Sequence, residues 1–155
     1  MGLVSLPALR RIVRRLKKRR KKIVFTNGCF DLLHAGHIAL LRKAKSLGDV
    51  LIVGVNSDHS VRWLKGRGRP VVPQKDRALI LSSLRDVDYV VFFSEPMPRA
   101  LIQTLSPDVL VKGADYGKKE IVGAGWVFFN GGRVVRIPVV KGKSSSALLR
   151  KLKSL

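Results

Sequence analysis

The chain has 155 residues, 31 of them Lys or Arg against 10 Asp or Glu, for a net charge of +21; this length suits one compact domain with a single sizeable core. Apolar residues make up 46% and aromatics only 6%, so the core is expected to be aliphatic, as in sheets with Val/Ile/Leu-rich strands. The lone cysteine, Cys29, excludes an internal disulfide framework and fits a reducing cytoplasm; no apolar run nears the roughly 18 residues of a membrane span, and arginines interrupt any signal-peptide core.

The charge is unevenly spread. Residues 1–22 hold ten Lys/Arg and no acid, leaving 21 basic against 10 acidic residues in the remainder. Such a field draws phosphates of every kind, from nucleotides to nucleic acids and anionic lipid, without choosing between them.

Leu6, Leu9, Val13 and Leu16 recur at helical spacing, so residues 5–20 read as a basic amphipathic helix packing one narrow apolar stripe. Residues 1–22 are taken as this basic N-terminal helix and 23–155 as the main domain. Ile23-Val24-Phe25 opens a short apolar strand. A helix over 36–47 ends at Gly48 and a strand over 50–55 follows. A Gly/Arg-rich loop at 65–70 precedes a helix at 74–85. Strand 88–93, helix 97–105, strand 108–112, a short helix at 121–130, strand 133–139 and a last helix at 144–153 complete the order. Strands that alternate with helices and are apolar throughout predict a parallel sheet covered on both faces. The fold class is therefore α/β: a Rossmann-like, doubly wound parallel sheet of about five strands in three layers. Ligands of such sheets bind beyond the carboxyl ends of the strands, where strand order reverses.

The strongest local signal is the run from Thr26 to His37, at the turn from the first strand into its helix. His34 and His37 stand three apart, on one face of a helical turn. Gly36 between them leaves room for an anion to approach the backbone, and a helix start offers free N–H groups and the positive end of the dipole. Imidazoles there can donate to phosphoryl oxygens and offset developing charge. A metal-binding pair is the competing reading, but only Asp31 lies near enough to add a ligand; structural capping histidines are another.

Phe30-Asp31-Leu32-Leu33-His34-Ala35-Gly36-His37 resembles the HxGH signature of the cytidylyltransferase-like nucleotidyltransferases. The likeness runs from about residue 23 to 152, through Gly54-Val55-Asn56-Ser57-Asp58, Lys65 to Pro73, Asp76-Arg77-Ala78, Pro107 to Tyr116, Ile121-Val122-Gly123-Ala124 and Lys143-Ser144-Ser145-Ser146. The Thr-Asn-Gly-Cys-Phe-Asp, Val-Lys-Gly-Ala-Asp-Tyr and Ile-Val-Gly-Ala strings are most similar to the adenylyltransferase domain of bifunctional heptose enzymes, here without the sugar-kinase domain.

The resemblance implies transfer of AMP from ATP to a sugar phosphate, D-glycero-D-manno-heptose 1-phosphate, with Mg²⁺ carried by the triphosphate. It assigns His34, His37, Lys65 and Asp115 to catalysis. It assigns Thr26, Asn27, Gly28, Cys29, Phe30, Asp31, Gly36, Arg77, Lys112, Gly113, Lys143, Ser144, Ser145 and Ser146 to the nucleotide, with no protein metal site. Where the family often has an Arg before the Gly of the serine segment, this chain reads Val140-Lys141-Gly142-Lys143, and a lysine lacks the bidentate fork. Lys65, Arg67 and Arg69 could form a lid or an ordinary basic surface loop. Asp76 and Arg77 could instead be a surface pair. Trp63 and Trp126 are expected to pack rather than stack on a base. Cys29 has no neighbouring base to activate it.

Relatives are commonly dimers, which leaves both a homodimer and a monomer open. Glycerol 3-phosphate cytidylyltransferase and FAD synthetase activities are the rival reactions. A nucleic-acid-binding module is the non-enzyme alternative; it draws on the Lys/Arg run but lacks an aromatic stacking platform. Stable membrane association is not expected from a stripe of four Leu/Val residues with no aromatic.

Overall fold

The computed structural model describes residues 2–113, 121–138 and 145–154. The elements are β1 (Gly2–Leu3), α1 (Leu6–Lys18), β2 (Ile23–Gly28), α2 (Ala35–Lys45), β3 (Val50–Asn56), α3 (Asp58–Lys65), α4 (Gln74–Ser82), β4 (Tyr89–Phe93), α5 (Arg99–Leu105), β5 (Val109–Gly113), α6 (Ala124–Phe129), β6 (Arg133–Ile137) and α7 (Ser145–Lys153). Among the described residues six strands form one sheet in the order β1-β4-β3-β2-β5-β6, and every pairing is parallel.

Period-two patterning explains the layers. Ile23, Phe25, Ile52 and Leu110 point to one face, where Leu9 and Val13 of α1, Leu101, Ile102 and Leu105 of α5, and Val127 of α6 cover them. Val24, Leu51, Val53, Val55 and Val111 point to the other, against Leu41 and Ala44 of α2 and Ala78 and Leu81 of α4. With both faces buried the strands must be apolar throughout, which is why they read as continuous runs.

The sheet has one strand more than expected. Gly2–Leu3 pairs with Tyr89 and Val90 at the edge, held by Gly2 N to Asp88 O and Val4 N to Val90 O, both 2.9 Å. Two residues carry no alternation for a sequence to display. α1 follows directly, with the Ser5 hydroxyl accepting from Ala8 N at 3.4 Å. Its Leu9 is fully buried, a contact worth about 1.5–3 kcal/mol, while its ten basic neighbours over 10–22 are exposed. The basic helix is thus bound to the main core by its expected stripe.

α3 is a second addition. It lies where no helix was expected, between the second long strand and the Gly/Arg-rich loop, and is capped by the Ser57 hydroxyl accepting from Ser60 N at 3.2 Å. Eight residues with only Ser60 and Val61 buried are too few for an apolar stripe to stand out.

Candidate active site

β2 lies inside the sheet, bonded to β3 on one side and β5 on the other. The chain leaves β2 towards β3 and β4, then crosses back to β5, so strand order reverses between β2 and β5. The crevice beyond their carboxyl ends is where an open α/β sheet binds ligands. The turn that follows β2, where the histidines stand, and the end of β5 at Lys112 and Gly113 both lie at these carboxyl ends.

α2 begins at Ala35, with His34 as its extended N-cap residue (φ −145°, ψ 169°). His37 N donates to His34 O at 2.9 Å, and this turn brings the two imidazoles into a stack, with centroids 3.8 Å apart and planes 23° from parallel. The Phe30 ring lies 5.2 Å from that of His37. Phe30 is buried and takes φ 47°, a left-handed conformation that costs a non-glycine residue about 1–3 kcal/mol and clusters at functional sites. Gly28 makes space for it: a Cβ there would meet the Phe30 ring at 3.2 Å.

Burial first, and the neighbouring His34 second, hold the His37 pKa down from 6.5 to about 4. The ring is therefore neutral at pH 7, and its buried Nδ1 has no hydrogen-bond partner among the described residues. A neutral His37 stacked on His34 at a helix N-terminus, whose first N–H groups have no intrahelical acceptor, forms a site where hydrogen-bond donors meet an anion.

Around this pair the expected residues divide. Asn27 accepts from the Lys112 ammonium, joining the ends of β2 and β5. Burial lowers the Lys112 pKa from 10.5 to about 8. Gly113 ends the same strand, and Gly36 occupies the second position of α2. Ser145, the first residue of α7, donates to Leu32 O at 3.1 Å, so the start of the last helix lies against the turn before His34. Lys65 is exposed at the end of α3, near enough for its charge to act on the Cys29 thiol.

Four others are engaged by the protein itself. The buried Thr26 hydroxyl donates to Val111 O at 3.1 Å. Burial pushes the Cys29 thiol up from 9.0, which keeps it protonated. Asp31 is buried and accepts from Val71 N at 2.7 Å, Val72 N at 3.0 Å and the Arg69 guanidinium. Arg77 is no surface partner of Asp76: it is 1% exposed and donates to Val72 O at 2.9 Å, to Asp58 Oδ1 at 2.7 Å and to Cys29 O. Trp63 is 67% exposed rather than packed, because α3 buries its opposite face. Trp126 is partly exposed and donates to Ser106 Oγ at 3.0 Å.

Asp115, Lys143 and Ser144 lie outside the described residues, as does the side chain of Ser146. Asp58 and Arg69 were not singled out as partners of Arg77 and Asp31, and the Asp-Arg complementarity across two quoted strings was the only available signal. Among the described residues, no group of three or more His, Cys, Asp or Glu could hold a metal ion, and no helix is long and apolar enough to cross a membrane.

Comparisons with known proteins point to one family. The family model described as cytidylyltransferase-like matches residues 25–124. The bifunctional protein HldE of Wolinella succinogenes is 52% identical over 150 residues, covering 97% of this chain and 31% of that protein. The HldE of Nitratiruptor sp. is 56% identical over 140 residues, covering 90% and 29%. The chain thus spans about a third of the length of these relatives. A lipopolysaccharide core biosynthesis protein from Thermoplasma volcanium superposes with a TM-score of 0.64 at 29% identity, covering 78% of this chain and 98% of that one. Pantoate-beta-alanine ligase from Francisella tularensis reaches the same TM-score at 22% identity, over 94% and 69%, a likeness of fold alone. With the matched segment running from the central strand through the histidine turn to the start of α6, the chain belongs to the cytidylyltransferase-like family of nucleotidyltransferases.

Proposed function

We propose that this chain transfers AMP from ATP to a sugar phosphate, D-glycero-D-manno-heptose 1-phosphate, releasing pyrophosphate and ADP-heptose. The observation that carries the reading is the stacked His34–His37 pair at the head of α2, beside the crevice between β2 and β5. The choice of nucleotide and acceptor is supported by the likeness to the HldE proteins.

An oxygen of the acceptor phosphate attacks the α-phosphorus as the bond to the bridging oxygen of the β-phosphate breaks, and pyrophosphate leaves with that electron pair. No covalent enzyme intermediate is required. The protein's contribution is to place two anions together and to stabilise the charge gathering on the α-phosphoryl oxygens. His34 and His37 donate to those oxygens, the amides at the head of α2 add the positive end of the helix dipole, and Lys112 offsets charge from the β5 side. On the family likeness, Lys65, Lys143 and the serines 144–146 attend the outer phosphates, and Asp115 serves with Lys112 at the nucleotide and acceptor pocket. Mg²⁺ would come with the nucleotide substrate and would offset charge on the triphosphate, needing few protein carboxylates to hold it. A homodimer in the cytoplasm is part of the same reading, drawn from the family likeness and the single cysteine.

Pyrophosphate release measured with ATP or CTP against heptose 1-phosphate, glycerol 3-phosphate and FMN tests the assignment. ATP with heptose 1-phosphate is expected to give the highest kcat/KM; CTP with glycerol 3-phosphate, or ATP with FMN, in first place would overturn it. His37→Ala should retain the fold and lose about 100-fold or more in turnover, the scale of one oxyanion donor.

A further inference from the structure

We infer that Asp31 and Arg77 are positioning residues that staple the segment from α3 to the start of α4 onto the histidine turn, and thereby set the place of Lys65 at the site; the inference rests on the reading of that site as a nucleotidyltransferase centre. The two side chains reach the same stretch of backbone from opposite directions. Asp31, just before the histidines, binds Val71 N and Val72 N with one oxygen and Arg69 with the other. Arg77, on α4, reaches back to Val72 O, to Cys29 O in the histidine turn and to Asp58 at the head of α3. Gln74 adds a further tie, accepting from Asp58 N at 2.8 Å.

The segment from 58 to 69 is therefore fixed at both ends. Asp58 holds the start of α3 and Arg69 the far stem, and Lys65 sits between them at the helix end. Beyond Lys65, Gly66 and Gly68 both take positive φ with open space where a Cβ would be. The Asp31 carboxylate is neutralised by Arg69 and two amides, so it adds no naked negative charge beside an incoming triphosphate. The Arg77 side chain is 0% exposed and engaged on three sides, so it acts through the backbone it holds rather than on phosphate.

A planar fork is needed for the divergent Arg77 bonds, and a lysine cannot reproduce them. The test uses the full chain with Asp31→Asn, Arg69→Gln and Arg77→Lys. Each variant is first checked for an unchanged circular dichroism spectrum, then assayed for turnover with ATP and heptose 1-phosphate and for trypsin cleavage after Lys65 and Arg67. Folded variants are expected to lose about tenfold in kcat, the scale of one charge-assisted hydrogen bond, with the KM for ATP changed by less than about threefold, and to be cut about tenfold faster. Arg77→Lys should fail to rescue, and Asp31→Asn/Arg69→Gln should lose no more than the worse single variant.

Folded variants with wild-type kcat and cleavage, altered only in unfolding midpoint, would overturn the inference. If Arg77→Lys does not fold, Arg69→Gln, at the loop stem, decides alone. If wild type fails to use heptose 1-phosphate, the proposed acceptor fails, while faster cleavage still supports the staple and unchanged cleavage still overturns it.

Discussion

The neutral state of His37 is the most exposed consequence of the site's geometry, and it can be measured through stability. In the unfolded chain this imidazole titrates near 6.5; in the folded chain burial, and then the adjacent His34 ring, hold it at about 4. Between those values the unfolded chain binds more protons, so stability present above about pH 6.5 is lost as pH falls towards 4. At 1.36 kcal/mol per unit the displacement has a ceiling of about 3 kcal/mol. The ring is only partly buried, and solvent screening brings the expected effect to about 2 kcal/mol. Urea unfolding of wild type and His37→Asn at pH 7.5 and 4.5 reads this contribution together with its coupling to His34, because the more distant titrating groups are common to both. Wild type should lose about 2 kcal/mol more than the variant over that interval. Proton NMR of the ring should place its midpoint near 4, rising when a non-hydrolysable ATP analogue brings negative charge beside it. Equal losses in the two proteins, or a midpoint near 6.5 in the free chain, would refute the buried, stacked arrangement on which the proposed chemistry depends.

Lys112 should show the opposite charge change at higher pH. Its ammonium, lowered to about 8 by burial, loses its proton as pH rises through that value, so affinity for a triphosphate analogue should weaken there in wild type and the step should vanish in Lys112→Met, as read by calorimetry. Leu9→Ala removes a fully buried side chain between α1 and the sheet and should cost about 2–5 kcal/mol in urea unfolding; a loss under about 0.5 kcal/mol would mean that the basic helix is only loosely attached. Gly54→Ala places a Cβ 2.9 Å from Phe25 Cζ and 3.2 Å from Asn27 Cβ. It should destabilise by about 1–3 kcal/mol, and a thermal melt unchanged from wild type would contradict this packing.

Much of this was legible in the chain itself, for a physical reason. A strand buried on both faces must be apolar at consecutive positions, so β2, β3, β4 and β5 announce themselves as aliphatic or aromatic runs, and the turn from β2 into α2 keeps all of its chemistry within a dozen consecutive residues. Spacing alone therefore put His34 and His37 on one face. What local pattern could not reveal was which distant groups meet. Arg77 reads as a nucleotide-binding arginine or as half of a surface pair with Asp76, since arginine seldom goes inside unpaired, and only the folded chain supplies Cys29 O, 48 residues away, and Asp58 as its partners. Asp31 likewise reads as a ligand-facing acid until residues 69–72 close over it. The Lys112–Asn27 and Ser145–Leu32 contacts span 85 and 113 residues, and a two-residue edge strand such as β1 has no period to detect. Short-range geometry is written into the order of residues. The satisfaction of buried charge and of edge backbone depends on whatever the fold brings alongside, and that was decided only in three dimensions.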